Sequence, residues 1–249
     1  MELPAPFAWE GDHIGIGLPG GRALFTTRRG GVSTGPYASL NLGRGTDDDP
    51  AAVERNYAAA AAAVGLPPAA LARGYQVHGR HVARVTAPPA PEAARVHADG
   101  QATARRDVAC LVLAADCLPV ALIAPGAVAM VHAGWRGLTA GVLEEGVAAV
   151  RELGGDRGPI AAAIGPGAGP CCYAVGDEVR AAFAAHPAAL RDGGTVDLKA
   201  VAAARLRAAG VAEVHDVGIC TICADPALFF SHRRDRGRTG RQAGIAWRA

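Results

Sequence analysis

The stretch Val112–Gly137 limits what this chain can fold into more than any other. Two apolar runs, 118–124 and 127–131, meet at Pro125-Gly126, a dipeptide that ends strands and turns the backbone, so the pair predicts a β-hairpin. With an even-numbered turn centred on Pro-Gly, residues whose numbers sum to 251 face each other, so Cys117 lies opposite Gly134 and His132 opposite Pro119. Cys117 and His132 then share one face as diagonal neighbours, about 7–8 Å apart at the backbone. A thiolate and an imidazole at that reach can share a metal ion, or act as nucleophile and base. An odd-numbered turn would put them on opposite faces.

The 249 residues are half apolar, enough for one large core, and no Ser- or Pro-rich linker, charge block or repeat divides them. A single domain, 1–249, is expected. A net charge of +2 predicts no electrostatic capture of nucleic acid or membrane. The N-terminus lacks the basic and apolar regions of a signal peptide, and Asp116, Pro119 and Pro125-Gly126 interrupt the longest apolar runs. Reduced thiols in the cytoplasm are therefore expected for the six cysteines.

Along the chain, Ile14–Leu18 and Ala23–Thr27 read as an N-terminal hairpin turned at Pro19-Gly20-Gly21. Asp48 or Asp49 before Pro50 starts a helix that runs to about Val64, with Gly65 beyond its end. A strand is expected from Tyr75 to about Thr86, loop over 87–107, and a buried strand Cys110–Ala114 feeding the central hairpin. A helix over Leu138–Leu153 closes at Gly154-Gly155, and Ile160–Ile164 is a strand. Helices at 177–185 and 197–209, then strands at 214–220 and Gln242–Trp247, complete an α+β pattern of mixed sheets covered by helices.

His78, in Gln76-Val77-His78-Gly79, joins Cys117 and His132 as a set of three N/S ligands, the composition of a catalytic zinc site. On residue types alone, a buried cysteine and two hydrogen-bonded histidines are the favoured reading. Met130 shares the face of His132 and would complete a blue-copper ligand list, but reads as core. Cys220-x-x-Cys223 with Cys171-Cys172 could make a four-thiolate site. Vicinal cysteines rarely point at one metal, so these four are expected to be reduced, packed and metal-free. Arg28, beside the Gly-rich loop Arg29–Ser33, is a candidate anion binder.

Several ordered motifs are more specific. Thr27-Arg28-Arg29-Gly30-Gly31-Val32-Ser33, Ser39-Leu40-Asn41-Leu42-Gly43, Gln76-Val77-His78-Gly79, Ala115-Asp116-Cys117-Leu118-Pro119, His132-Ala133-Gly134-Trp135-Arg136-Gly137 and Gly169-Pro170-Cys171-Cys172-Tyr173 are followed by Phe229-Phe230-Ser231-His232-Arg233-Arg234. Together they resemble the YfiH-like family, also called the laccase-domain or peptidoglycan-editing-factor family. The resemblance implies a four-layer α/β/β/α sandwich similar to the catalytic domain of necrotizing toxins. It implies a zinc ion (Zn2+) on His78, Cys117 and His132, with Cys117 and His132 catalytic and Arg28, Asn41 and Arg136 binding substrate or phosphate. The implied activity is phosphorolysis of adenosine, inosine and methylthioadenosine, with adenosine deamination as a side activity, in a monomer or small homo-oligomer. His232 and Ala174 depart from the family's usual tyrosine and acidic residue. A second reading makes Cys117 the nucleophile of an amidase that edits peptidoglycan precursors. A copper polyphenol oxidase is rejected, since no His-x-His pair exists to build a trinuclear cluster.

Overall fold

The computed structural model describes residues 1–89, 96–154 and 157–249. Among these, strands β1 (Ala8–Glu10), β2 (His13–Leu18), β3 (Gly21–Phe25), β12 (Gln242–Trp247), β7 (Ala109–Ala114) and β4 (Leu71–Ala72) form one six-stranded sheet, in that order. A second six-stranded sheet runs β11 (Glu213–Asp216), β10 (Ala161–Ile164), β8 (Leu118–Ile123), β9 (Val128–Ala133), β6 (Gly100–Thr103) and β5 (Val82–Arg84). Both sheets are mixed, with parallel pairs at β4–β7, β10–β11 and β5–β6.

Side-chain alternation assigns the layers. Val128 and Met130 of β9 point into the core between the sheets, with Ile16, Phe25, Val112 and Phe229. Ala129 and Val131 point the other way, onto α3 (Val142–Gly154) and α5 (Leu198–Ala208) through Val147, Val150 and Leu206. The first sheet's outer face carries α1 (Pro50–Ala63), with Val53, Tyr57 and Ala60 against Leu24, Leu111 and Ile245. The result is an α/β/β/α sandwich. A strand buried on both faces is apolar at nearly every position, which is why β8 and β9 read as apolar runs, interrupted only near the end of β9 by His132. Met130 therefore belongs to the core and not to a metal site.

The central hairpin has the expected register, with Leu118 opposite Ala133 and Pro119 opposite His132. Helix α1 also starts as expected: Asp49 accepts from the N–H groups of Ala51 and Ala52, and Gly65 follows at φ 71°. Other expectations change. The strand Ala109–Ala114 belongs to the sheet opposite its successor, so the chain crosses between sheets at Ala115–Cys117. The strand expected over Tyr75–Thr86 shrinks to Val82–Arg84, because His78 takes a left-handed φ of 58°. Part of the expected loop 87–107 is β6, whose Gly-Gln-Ala-Thr sequence has no β signature and pairs because β9 offers an edge; residues 90–95 of that loop lie outside the described residues. The helix expected at Leu138 begins earlier, as α2 (Trp135–Ala140), and breaks at Gly141 (φ 93°) before α3. Its expected terminator, residue 155, is also outside the described residues. Helix α4 (Asp177–Ala182) and strand β11 are both shorter than expected.

Candidate metal centre and its cleft

The side chains of His78, Cys117 and His132 meet at one end of the inter-sheet core. Their ligand atoms all lie within 4.8 Å of one another, and the two imidazoles meet edge-on with ring centroids 4.9 Å apart. The hairpin supplies two of the three. Cys117 precedes β8 and His132 lies in β9, both on the face that carries Met130.

Asp99, absent from the sequence reading, assembles the third. Its backbone C=O accepts from His132 N at 2.6 Å, and its Oδ1 lies 2.9 Å from His132 Nδ1. The same carboxylate accepts from the backbone N–H groups of Val77, His78 and Gly79 at 3.2, 2.9 and 2.7 Å. A non-glycine residue at φ > 0 is held against its preference, and here these three bonds hold it. Engaging Nδ1 of His132 leaves Nε2 for Cys117 or a metal, an orienting contact common around metal-bound histidines. Burial alone would raise the Asp99 carboxyl, but its bonds to His132, Gly79 and Val77 outweigh this and hold it below the usual range.

Cys117 is placed by a second non-glycine residue at positive φ, Asp116 at 92°. The Asp116 carboxylate accepts from Thr221 Oγ1 and from the N–H of Arg233, each at 2.7 Å, and its C=O accepts from Ala168 N. These contacts fix the crossing between sheets. Burial pushes the Cys117 thiol up, but His132 and His78 beside it dominate and bring it down to about 6. Burial lowers His132, while Cys117 and Asp99 more than reverse the effect and raise it. These shifts favour a thiolate beside an imidazolium when no metal is bound, in a group graded outward from buried His132 through half-buried Cys117 to exposed His78. Two nitrogens and a sulfur, oriented by a carboxylate and open on the His78 side, could hold a metal ion with a free coordination position.

The group opens into a cleft of about 740 Å³, also lined by Trp135, Arg136, Tyr173, Arg233 and Arg241. Arg136 stacks on Trp135 and Arg233 on Tyr173, at 4.3 and 5.2 Å from the ring centroids. Of the expected substrate residues, Arg136 lines the cleft. Arg28 does not: its guanidinium donates to the carbonyls of Ala38, Pro226 and Pro36 and lies over Phe230. Asn41 is fully buried and likewise does not line it. Its Oδ1 accepts from Gly43 N and Arg241 N, so it positions two parts of the cleft wall. Arg241, Tyr173 and Asp99 carry no spacing signal, since they reach the site from distant turns.

The fold and site define the class: an α/β/β/α sandwich with a His-Cys-His group, able to hold a metal ion, at the end of its inter-sheet core. The chain belongs to the family described as multi-copper polyphenol oxidoreductase laccase, whose model matches residues 22–249. It is 44% identical over 234 residues to a purine nucleoside phosphorylase of Streptomyces coelicolor, covering 90% of this chain and 93% of that protein. It is 41% identical to the purine nucleoside phosphorylase YfiH of Shigella flexneri, covering 92% and 95%. The crystal structure of YfiH from Bacillus licheniformis superposes with a TM-score of 0.87 at 30% identity, covering 99% of this chain and 100% of that one. No helix among the described residues is long and apolar enough to cross a membrane.

Proposed function

We propose that this chain is a single-domain, zinc-dependent purine nucleoside phosphorylase acting on adenosine, inosine and methylthioadenosine. The observation that carries the reading is the convergence of His78, Cys117 and His132 in a cleft lined by guanidinium groups. A zinc ion held by those three residues would supply positive charge to an oxygen of phosphate or water. Arg136 and Arg241 hold the phosphate against the ribose C1′, so that its approach is no longer a bimolecular encounter. Trp135 and Tyr173 offer aromatic surface to the purine. Asp99 keeps the His132 ring fixed, and Asp116 keeps Cys117 at the cleft floor. The cleft volume is in the range of small-molecule sites. Adenosine deamination is a proposed side activity. The relatives' names support phosphorolysis.

The shifted Cys117 thiol favours a second reading, a cysteine amidase with Cys117 as nucleophile and His132 as base. Mass spectrometry of inosine incubated with and without phosphate separates the two. Phosphorolysis gives hypoxanthine and ribose 1-phosphate only when phosphate is present. Unchanged inosine, with phosphate-independent cleavage of an amide and a trapped acyl-Cys117, would replace the proposal with the amidase.

A further inference from the structure

Cys171, Cys172, Cys220 and Cys223 lie apart from the three-ligand group, yet their sulfurs also all lie within 4.8 Å of one another. Two turns bring this about. The N–H groups of Cys172 and Tyr173 both donate to Gly169 O, at 3.1 and 3.0 Å, and this tight turn directs two successive thiols to one place. The Cys220-x-x-Cys223 segment closes on itself through Ala224 N to Cys220 O at 2.9 Å. The two segments are sewn together where Gly167 N donates to Ile219 O and Thr221 N to Gly167 O. Vicinal cysteines rarely point at one centre, but here the turn removes the extended geometry that keeps them apart and the four sulfurs converge.

Two further features point to a ligand. Gly169 N donates to Cys220 Sγ at 3.2 Å, a bond that strengthens when the sulfur is a thiolate. A Cβ at Gly169 would lie 3.0 Å from Cys220 Cβ and 3.4 Å from the sulfurs of Cys171 and Cys220, so a side chain there would press directly on the thiol cluster. Apolar packing does not explain the cluster, because Cys171 and Cys223 are exposed. Four sulfurs on a tetrahedral ion with Zn–S of about 2.3 Å sit ~3.8 Å apart, and Cys171 and Cys223 are already at 3.5 Å.

We propose that these four thiolates hold a second metal ion, a thiophilic divalent cation of the zinc class, in a closed structural site. Soft sulfur ligands select such ions over magnesium or calcium. With four protein ligands the ion has no open position, and its work is to tie two loops of the cleft wall. One loop continues into Tyr173, which lines the cleft. The other carries Thr221, whose hydroxyl fixes Asp116 next to Cys117.

The test is zinc-edge X-ray absorption on the intact, metal-replete protein, with metal content measured alongside. A sulfur-dominated shell at about 2.3 Å is expected, because the four thiolates outnumber the single sulfur of the cleft group. A shell dominated by nitrogen, with about one sulfur, would overturn the proposal. The paired variant Cys220→Ser/Cys223→Ser should lose one zinc equivalent relative to wild type. Zinc content identical in the two proteins, or a native disulfide among the four cysteines in the wild type, would also overturn it. The absorption spectrum needs no variant, so a misfolded mutant leaves the test standing.

Discussion

Asp99 Oδ1 lies 2.9 Å from His132 Nδ1 and, at the same distance, accepts the backbone N–H of His78. One carboxylate oxygen thereby sets both the ring orientation of one candidate ligand and the left-handed backbone of another. Replacing Asp99 with Asn keeps the size but turns an NH2 group toward two of the N–H groups that the carboxylate now accepts from. Metal affinity should fall about 10–100-fold, the usual cost of losing an orienting partner. Competition with a chelator measures it, and unchanged affinity would remove Asp99 from the site.

Gly134 closes the cleft group from below. A Cβ there would lie 2.9 Å from Cys117 Sγ and 3.2 Å from His78 Cδ2. The φ of Gly134 is −79°, so alanine brings no backbone strain and its effect is a wedge between two candidate ligands. Gly134→Ala should keep its far-ultraviolet circular dichroism and lose metal affinity by more than about tenfold, about 1.4 kcal/mol.

The two arginines first considered as anion binders should separate. Arg28 ties three loop carbonyls together, so Arg28→Ala should destabilise the fold by roughly 2 kcal/mol, the scale of hydrogen bonds from a charged donor. The phosphate concentration for half-maximal rate should not move. Arg136→Ala should raise that concentration several-fold and leave the urea midpoint nearly unchanged. The reverse pattern would return the anion-binding role to Arg28.

The metal-free protein should show its thiolate in its chemistry. With metal stripped, alkylation of Cys117 should rise through a midpoint near pH 6, well below the value of about 8.5 for a free thiol. Cys110 is an internal control, since burial pushes its thiol up to about 12 and it should stay unmodified at neutral pH. Peptide mass mapping after brief iodoacetamide treatment across pH 5–9 reads both. A Cys117 midpoint near that of a free thiol would mean that the imidazoles do not stabilise the thiolate.

The hairpin was legible because Pro125-Gly126 sits at an even turn between two strands that are apolar on both faces up to His132. That was enough to place Cys117 and His132 on one face. Asp99 was not legible: it is 21 residues from His78 and 33 from His132, beside a strand with no β signature. Arg28 misled for the opposite reason. Its Gly-rich neighbourhood looks like an anion loop, whereas its guanidinium satisfies the carbonyls of that loop and of a distant turn. The four-thiol cluster was hidden because adjacent side chains diverge in an extended chain, and only the turn from Gly169 to Tyr173 makes them converge.

The most direct measurement follows ribose 1-phosphate formed from inosine and phosphate by the protein as purified, stripped of metal, and reloaded with zinc. The wild type should lose turnover on stripping and recover it with zinc, and His132→Ala, lacking one of the three ligands, should stay inactive in every state. Full phosphorolysis by the stripped wild type, or by His132→Ala, would contradict the assignment of His78, Cys117 and His132 as the metal centre of a phosphorylase.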